Sequence, residues 1–134
     1  MTSAPLIVSA VAVVRDRTVL MVTARQRDVY YMPGGKVDAG ETAAEAAARE
    51  AFEEVALRLA PDDLEELFEG RTQAHGEPDG RQVHMRVFRA FTDEEPVPSA
   101  EVDAIHWTTR ADADRCPPAG REVLRRLAQL DLID

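Results

Sequence analysis

The 134-residue chain carries 25 acidic against 16 basic side chains, a formal charge of −9 and a pI near 4.8. That length suits one domain, residues 1–134, and 45% hydrophobic residues can bury roughly two-thirds of the unfolded surface without disulfides. The acidity disfavours a nucleic acid polymer or an anionic membrane as partner, while a small phosphorylated ligand remains compatible where divalent cations screen its charge.

The single cysteine, Cys116, can form no intrachain disulfide, and no basic leader precedes the first apolar run, Leu6 to Val14, which is too short to span a bilayer. The expected compartment is the cytoplasm. Leu6 to Val14 is rich in β-branched residues, and with Thr18 to Thr23 after the turn Arg15-Asp16-Arg17 it predicts a hairpin. Tyr30-Tyr31-Met32 is a short extended segment, and Pro33-Gly34-Gly35 is expected to end it, opening a functional loop.

Thr42 to about Leu57 has seven alanines among strong helix formers, and Thr42 with Glu45 makes a capping-box pair. Its inward face is expected to hold Ala44, Ala47, Ala48, Ala51, Val55 and Phe52. Leu64 to Ala74 and Arg81 to Phe91 read as a second hairpin around residues 75–80. Val102 to Trp107 predicts a last strand, with Trp107 in the core, and Pro118 to Leu130 a closing helix with Val123, Leu124, Leu127 and Leu130 inward. The order β-β-β-α-β-β-β-α implies a mixed sheet with helices against its faces.

Four carboxylates, Glu41, Glu50, Glu53 and Glu54, fall within fourteen residues. On a helix Glu50, Glu53 and Glu54 stand at i, i+3 and i+4 and share one face. Like charges so close are costly unless a cation sits among them, and oxygen-only ligands select hard cations such as Mg²⁺ or Mn²⁺. Gly34-Gly35 lets the backbone approach the same place, where the Gly35 carbonyl is a further candidate ligand. Arg49 is placed to pair with Glu41 or Glu45 and fix loop against helix.

With its glycine, arginine and glutamates at these spacings, Gly35 to Leu57 resembles the Nudix box, the loop-helix signature of the Nudix (MutT-like) hydrolases. The resemblance implies a Nudix-type α/β/α sandwich and a pyrophosphohydrolase that cleaves a diphosphate bond in a nucleoside diphosphate linked to another moiety, such as a nucleoside triphosphate or nucleotide sugar. It also implies that Glu50, Glu53 and Glu54, with the Gly35 carbonyl, bind Mg²⁺ or Mn²⁺, and that Glu41 with Arg49 orients the site. Glu50, or Glu94, Glu95 or Glu101 from a loop, would take the proton from water. Ala56 stands where the family usually has glycine; because alanine resists positive φ, the helix is expected to run through it unchanged.

Outside the box, Arg25, Tyr31, Gly34, Gly35 and Lys36 are the expected substrate contacts. Arg25 is a candidate phosphate grip, and Tyr30 or Tyr31 a platform for a base, one of the two being core. His75 and His84 lack a zinc-spaced partner and read as ordinary histidines; Cys116 lacks a base and is not expected to be a nucleophile. Two other classes of function stay open: a catalytically silent Nudix-like module that binds a nucleotide or a protein, and a purely structural acidic domain. A homodimer is a further expectation, from the exposed edges of so small a sheet.

Overall fold

The computed structural model describes residues 4–74 and 80–134. Of the sequence expectations, His75 and most of the turn at 75–80 lie outside the described residues. The elements are β1 (Leu6–Arg15), β2 (Thr18–Ala24), β3 (Gly34–Lys36), α1 (Ala43–Val55), β4 (Glu65–Gln73), β5 (Gln82–Ala90), β6 (Val102–Thr108) and α2 (Pro118–Gln129), with short 3₁₀ turns at Pro61–Asp63 and Arg110–Arg115. The strands run β4-β5-β1-β2-β6, with β3 on β1; the β1–β5 pair is parallel and the other ladders antiparallel.

Alternation along the strands splits the apolar residues between two faces. Ala10, Ala12, Val19 and Met21 pack with Val123, Leu124 and Leu127 of α2. Val11, Val13, Leu20 and Val22 pack with Ala47, Ala51 and Val55 of α1. The result is the expected mixed sheet between helices. The alanine face of α1 lets the helix lie close to the sheet, which brings its glutamates within reach of the strand backbone. Phe52, Leu130 and Trp107 depart from the expected core: they are 51%, 50% and 38% exposed. Phe52 and Trp107 instead lie under the guanidinium groups of Arg58 and Arg15.

The segment 31–36 does not turn at Pro33-Gly34-Gly35 as expected. β1 and β2 pair only at Val14–Val19 and Arg15–Thr18 and diverge beyond. Into that gap the segment inserts as a wedge: Tyr31 exchanges backbone hydrogen bonds with Val22, the Pro33 carbonyl accepts from the Val11 N–H, and Gly34 to Lys36 pair with Ala10 to Val8. A Cβ on Gly34 would stand 2.3 Å from the Ser9 carbonyl oxygen and 2.8 Å from Ala10 Cα. Glycine is therefore what permits a strand here, and the functional loop begins after Lys36.

Helix α1 starts as expected, with both halves of the Thr42–Glu45 capping box formed. Its end differs. Ala56 adopts a left-handed conformation at φ 57°, so the Ala56 and Leu57 N–H groups reach back to the Phe52 and Ala51 carbonyls, and Leu57 is wholly buried. The next carbonyls, of Glu54 and Val55, accept from Ser99 and Val97 of the loop before β6. Satisfying four helix-end carbonyls and burying Leu57 outweighs the roughly 1 kcal/mol of strain that an alanine suffers there. Ala56→Gly should consequently raise unfolding free energy by about 0.5–1 kcal/mol in urea titration, with an unchanged slope; a loss of stability would contradict the strain.

Candidate active site

The wedge and α1 meet where the box carboxylates lie. A Cβ on Gly35 would stand 2.5 Å from Glu50 Oε1 and 2.6 Å from its Cδ, so the Glu50 carboxylate occupies the space that the missing side chain leaves. One turn on, Glu54 Oε1 accepts from the Gly34 N–H at 3.3 Å. Two successive glycines thus seat two successive carboxylates.

Arg49 supports this arrangement from the far side. Its Nε and Nη2 form a fork on Glu41 at 2.8 and 2.9 Å, Nη1 donates to Glu50 at 2.8 Å, and Nη2 also donates to the Lys36 carbonyl at 3.1 Å. Glu53 lies 3.4 Å from Nη1, and Asp38 lies 3.4 Å from Nη2. One cation therefore joins β3, the loop after it and the helix. The Arg49 fork, with the Asp38 N–H, holds the Glu41 carboxyl down to about 2. Glu45, the alternative partner for Arg49, is occupied by the capping box.

Glu54 has the opposite environment. Burial, then the hydrogen bond to Glu50 and that group's charge, push its carboxyl up to about 8. Two carboxyl groups in contact, one keeping its proton at neutral pH, are a ready place for a divalent cation to replace the proton. The donor set, carboxylates with the backbone of a glycine pair, fits Mg²⁺ or Mn²⁺. Among the described residues no three His, Cys, Asp or Glu side chains converge into a closed metal cage; Glu53 is half-exposed and shares Arg49 Nη1 with Glu50.

Glu50, Glu53 and Glu54 form one wall of a cavity of about 520 Å³. Tyr31, Gly34 and Glu101 also line it. Arg25 and Lys36 are exposed and lie off its described walls. Of the loop carboxylates, Glu95 pairs with Arg15 and Glu94 accepts from the Arg58 N–H; Glu101 alone of the three reaches the cavity. Tyr30 also borders the cavity, but its ring is already engaged: His106 stacks at 4.2 Å and 10°, and the Arg115 guanidinium lies 5.4 Å from its centre. Of the two expected platforms for a base, only Tyr31 keeps that role open.

His84 pairs with Gln82. Cys116 is buried, and burial pushes its thiol up to about 11, the wrong direction for a nucleophile. Sequence reasoning missed the apolar walls from β1 and β5, because Leu6 and Val8 belong to a strand pattern that carries no sign of a cavity.

Comparison with known proteins was made on this geometry. The NUDIX domain model matches residues 5–127. A MutT NUDIX hydrolase from Burkholderia pseudomallei is 24% identical with a TM-score of 0.71, covering 92% of this chain and 98% of its own. A C. elegans Ap4A hydrolase is 20% identical with a TM-score of 0.70, at 93% and 96% coverage. A bifunctional NMN adenylyltransferase/ADP ribose pyrophosphatase from Francisella tularensis, complexed with AMP and a Mn ion, is 21% identical with a TM-score of 0.69, covering 93% of this chain and 41% of its own. Comparison with curated protein sequences returns no match. Among the described residues no helix is long and apolar enough to cross a membrane.

The Glu54 environment has a direct consequence for stability. With a folded value near 8 against an ordinary 4.5, folded Glu54 keeps a proton that the unfolded chain releases. Its contribution is complete below pH 4.5 and is lost as pH rises through 8. In chelator, the melting temperature should fall across that window. Glu54→Gln should flatten the fall, and an identical pH profile for the variant would refute the assignment. Matching a loop-helix carboxylate site to a family model that spans nearly the whole chain, these findings place the protein in the NUDIX family of hydrolases.

Proposed function

We propose that this chain, read as one domain, hydrolyses a diphosphate linkage in a small nucleotide-like substrate with the help of Mg²⁺ or Mn²⁺. The observation that carries the reading is the Glu50–Glu54 pair, buried against Gly34 and Gly35 at one end of a ligand-sized cavity. Glu50, Glu53, Glu54 and the Gly35 carbonyl would hold the divalent ion, which when bound neutralises diphosphate oxygens and makes water a better nucleophile.

The protein's own groups supply the rest. Arg49, forked on Glu41, keeps Glu50 turned toward Gly35 and fixes the loop whose Lys36 carbonyl it also binds. Glu50 or Glu101 takes the proton from the attacking water: both line the cavity, and Glu101 is carried on a loop latched to α1 through the Ser99 N–H and the Glu54 carbonyl. Tyr31 borders the nucleoside side, while Arg25 and Lys36 meet phosphates that project from the mouth. An Ap4A hydrolase and an ADP ribose pyrophosphatase among the structural neighbours support a diphosphate-linked substrate. A silent binding module would be expected to have lost box carboxylates, and here all are present.

Turnover of nucleoside triphosphates, nucleotide sugars and dinucleoside polyphosphates, measured by phosphate and nucleotide release, tests this reading. Expected is activity that requires Mg²⁺ or Mn²⁺ and falls at least about 100-fold in Glu54→Gln, a loss of some 2.7 kcal/mol of transition-state stabilisation. Turnover that persists in chelator would overturn the metal-dependent reading, and nucleotide binding without turnover in the unaltered protein would replace it with the binding module. Gly35→Ala, whose Cβ would displace Glu50, should lose activity on a similar scale while Arg49 still holds Glu41 and the fold.

A further inference from the structure

Ser9 is wholly buried, and its hydroxyl has no hydrogen-bond partner among the described residues. Across the antiparallel ladder with β3 it stands opposite Gly35. Residues directly opposed in such a pair point to the same face of the sheet, and a Cβ on Gly35 would meet the Glu50 carboxylate at 2.5 Å. The Ser9 side chain therefore points to the face on which the Glu50 carboxylate lies. Val11 and Val13, which share its parity on β1, pack with Ala47 and Ala51 of α1 and agree with that placement.

Packing does not explain the hydroxyl. Where β1 needs only a small side chain it has alanine, at Ala10 and Ala12, both wholly buried. An unpaired hydroxyl in a dry interior destabilises the folded chain, and alanine at position 9 would avoid that cost. On the β5 side the neighbour of Ser9 is Arg86, which is forked on Glu66 by two bonds of 2.7 Å. On the β3 side Gly35 offers no side chain, and the space it leaves is filled by Glu50. The acceptor within that space is the Glu50 carboxylate, which Arg49 already holds through Oε1 at 2.8 Å. Resting on the metal-dependent reading above, we propose that Ser9 is a positioning residue of the site, its hydroxyl donating to the Glu50 carboxylate when the divalent ion is bound. Arg49 and Ser9 then grip Glu50 together, and its remaining lone pairs face the cavity. A carboxylate oriented by two donors presents its oxygen to the ion with less freedom to lose on binding.

Stability and metal binding of one variant should then move in opposite directions. In chelator, Ser9→Ala should unfold at a higher urea concentration than the unaltered protein, with the same slope, because it loses an unpaired hydroxyl. In calorimetric titration with Mn²⁺ the same variant should bind about tenfold more weakly. Ser9→Thr, which keeps a hydroxyl, should recover most of that affinity. At saturating Mn²⁺, Ser9→Ala should lower kcat for a nucleoside triphosphate with KM retained. Mn²⁺ bound as tightly by Ser9→Ala as by the unaltered protein, or easier unfolding of Ser9→Ala in chelator, would overturn the role of Ser9 and leave the hydrolase reading intact. Mn²⁺ that fails to bind the unaltered protein would overturn both.

Discussion

The structure depends on holding carboxylates together where water does not separate them. Glu50 and Glu54 press against a glycine strand, and burial beside Glu50 pushes the Glu54 carboxyl up, a burial that is costly in isolation. Every nearby feature bears on that cost. The alanine face of α1 brings the helix close to the sheet. Gly34 and Gly35 remove the side chains that would fill the space, and Arg49 supplies positive charge from behind while leaving the cavity side of Glu54 without a cation.

The same logic accounts for where the sheet is weakest. β1 and β2 pair over two rungs and then diverge, and the opening is closed on one side by the 31–36 wedge and left open beyond it as the cavity. The loop before β6 is tied to the end of α1 by the Val97 and Ser99 N–H groups, which links the carboxylate helix to the loop that leads to Glu101. Precision at such a site comes from these supporting contacts as much as from the ligands themselves.

Much of this was legible in the residues. The capping box, the alanine content and the spacing of Glu50, Glu53 and Glu54 are local signals, and local rules govern a helix start and a helix face. The parts that were not legible depend on distant partners. Gly34-Gly35-Lys36 has no strand propensity and becomes a strand because Ser9 and Ala10 lie alongside. Ala56 takes a conformation that alanine disfavours because carbonyls at the helix end and a buried Leu57 demand it. Leu6 and Val8 look like core until the register with β5 turns them toward a cavity. Trp107, expected in the core, is partly exposed with the Arg15 guanidinium over its ring, a partner ninety-two residues away that no local pattern reveals.

The central claim is that a divalent cation displaces the proton that burial and the neighbouring Glu50 favour on Glu54. Calorimetric titration of Mn²⁺ or Mg²⁺ at pH 7, repeated in two buffers of different ionisation enthalpy, counts the protons released per ion bound. The account predicts about one proton released in the unaltered protein and markedly fewer in Glu54→Gln, whose amide has no proton of this kind to lose. Binding with no proton release, or release undiminished in the variant, would contradict it.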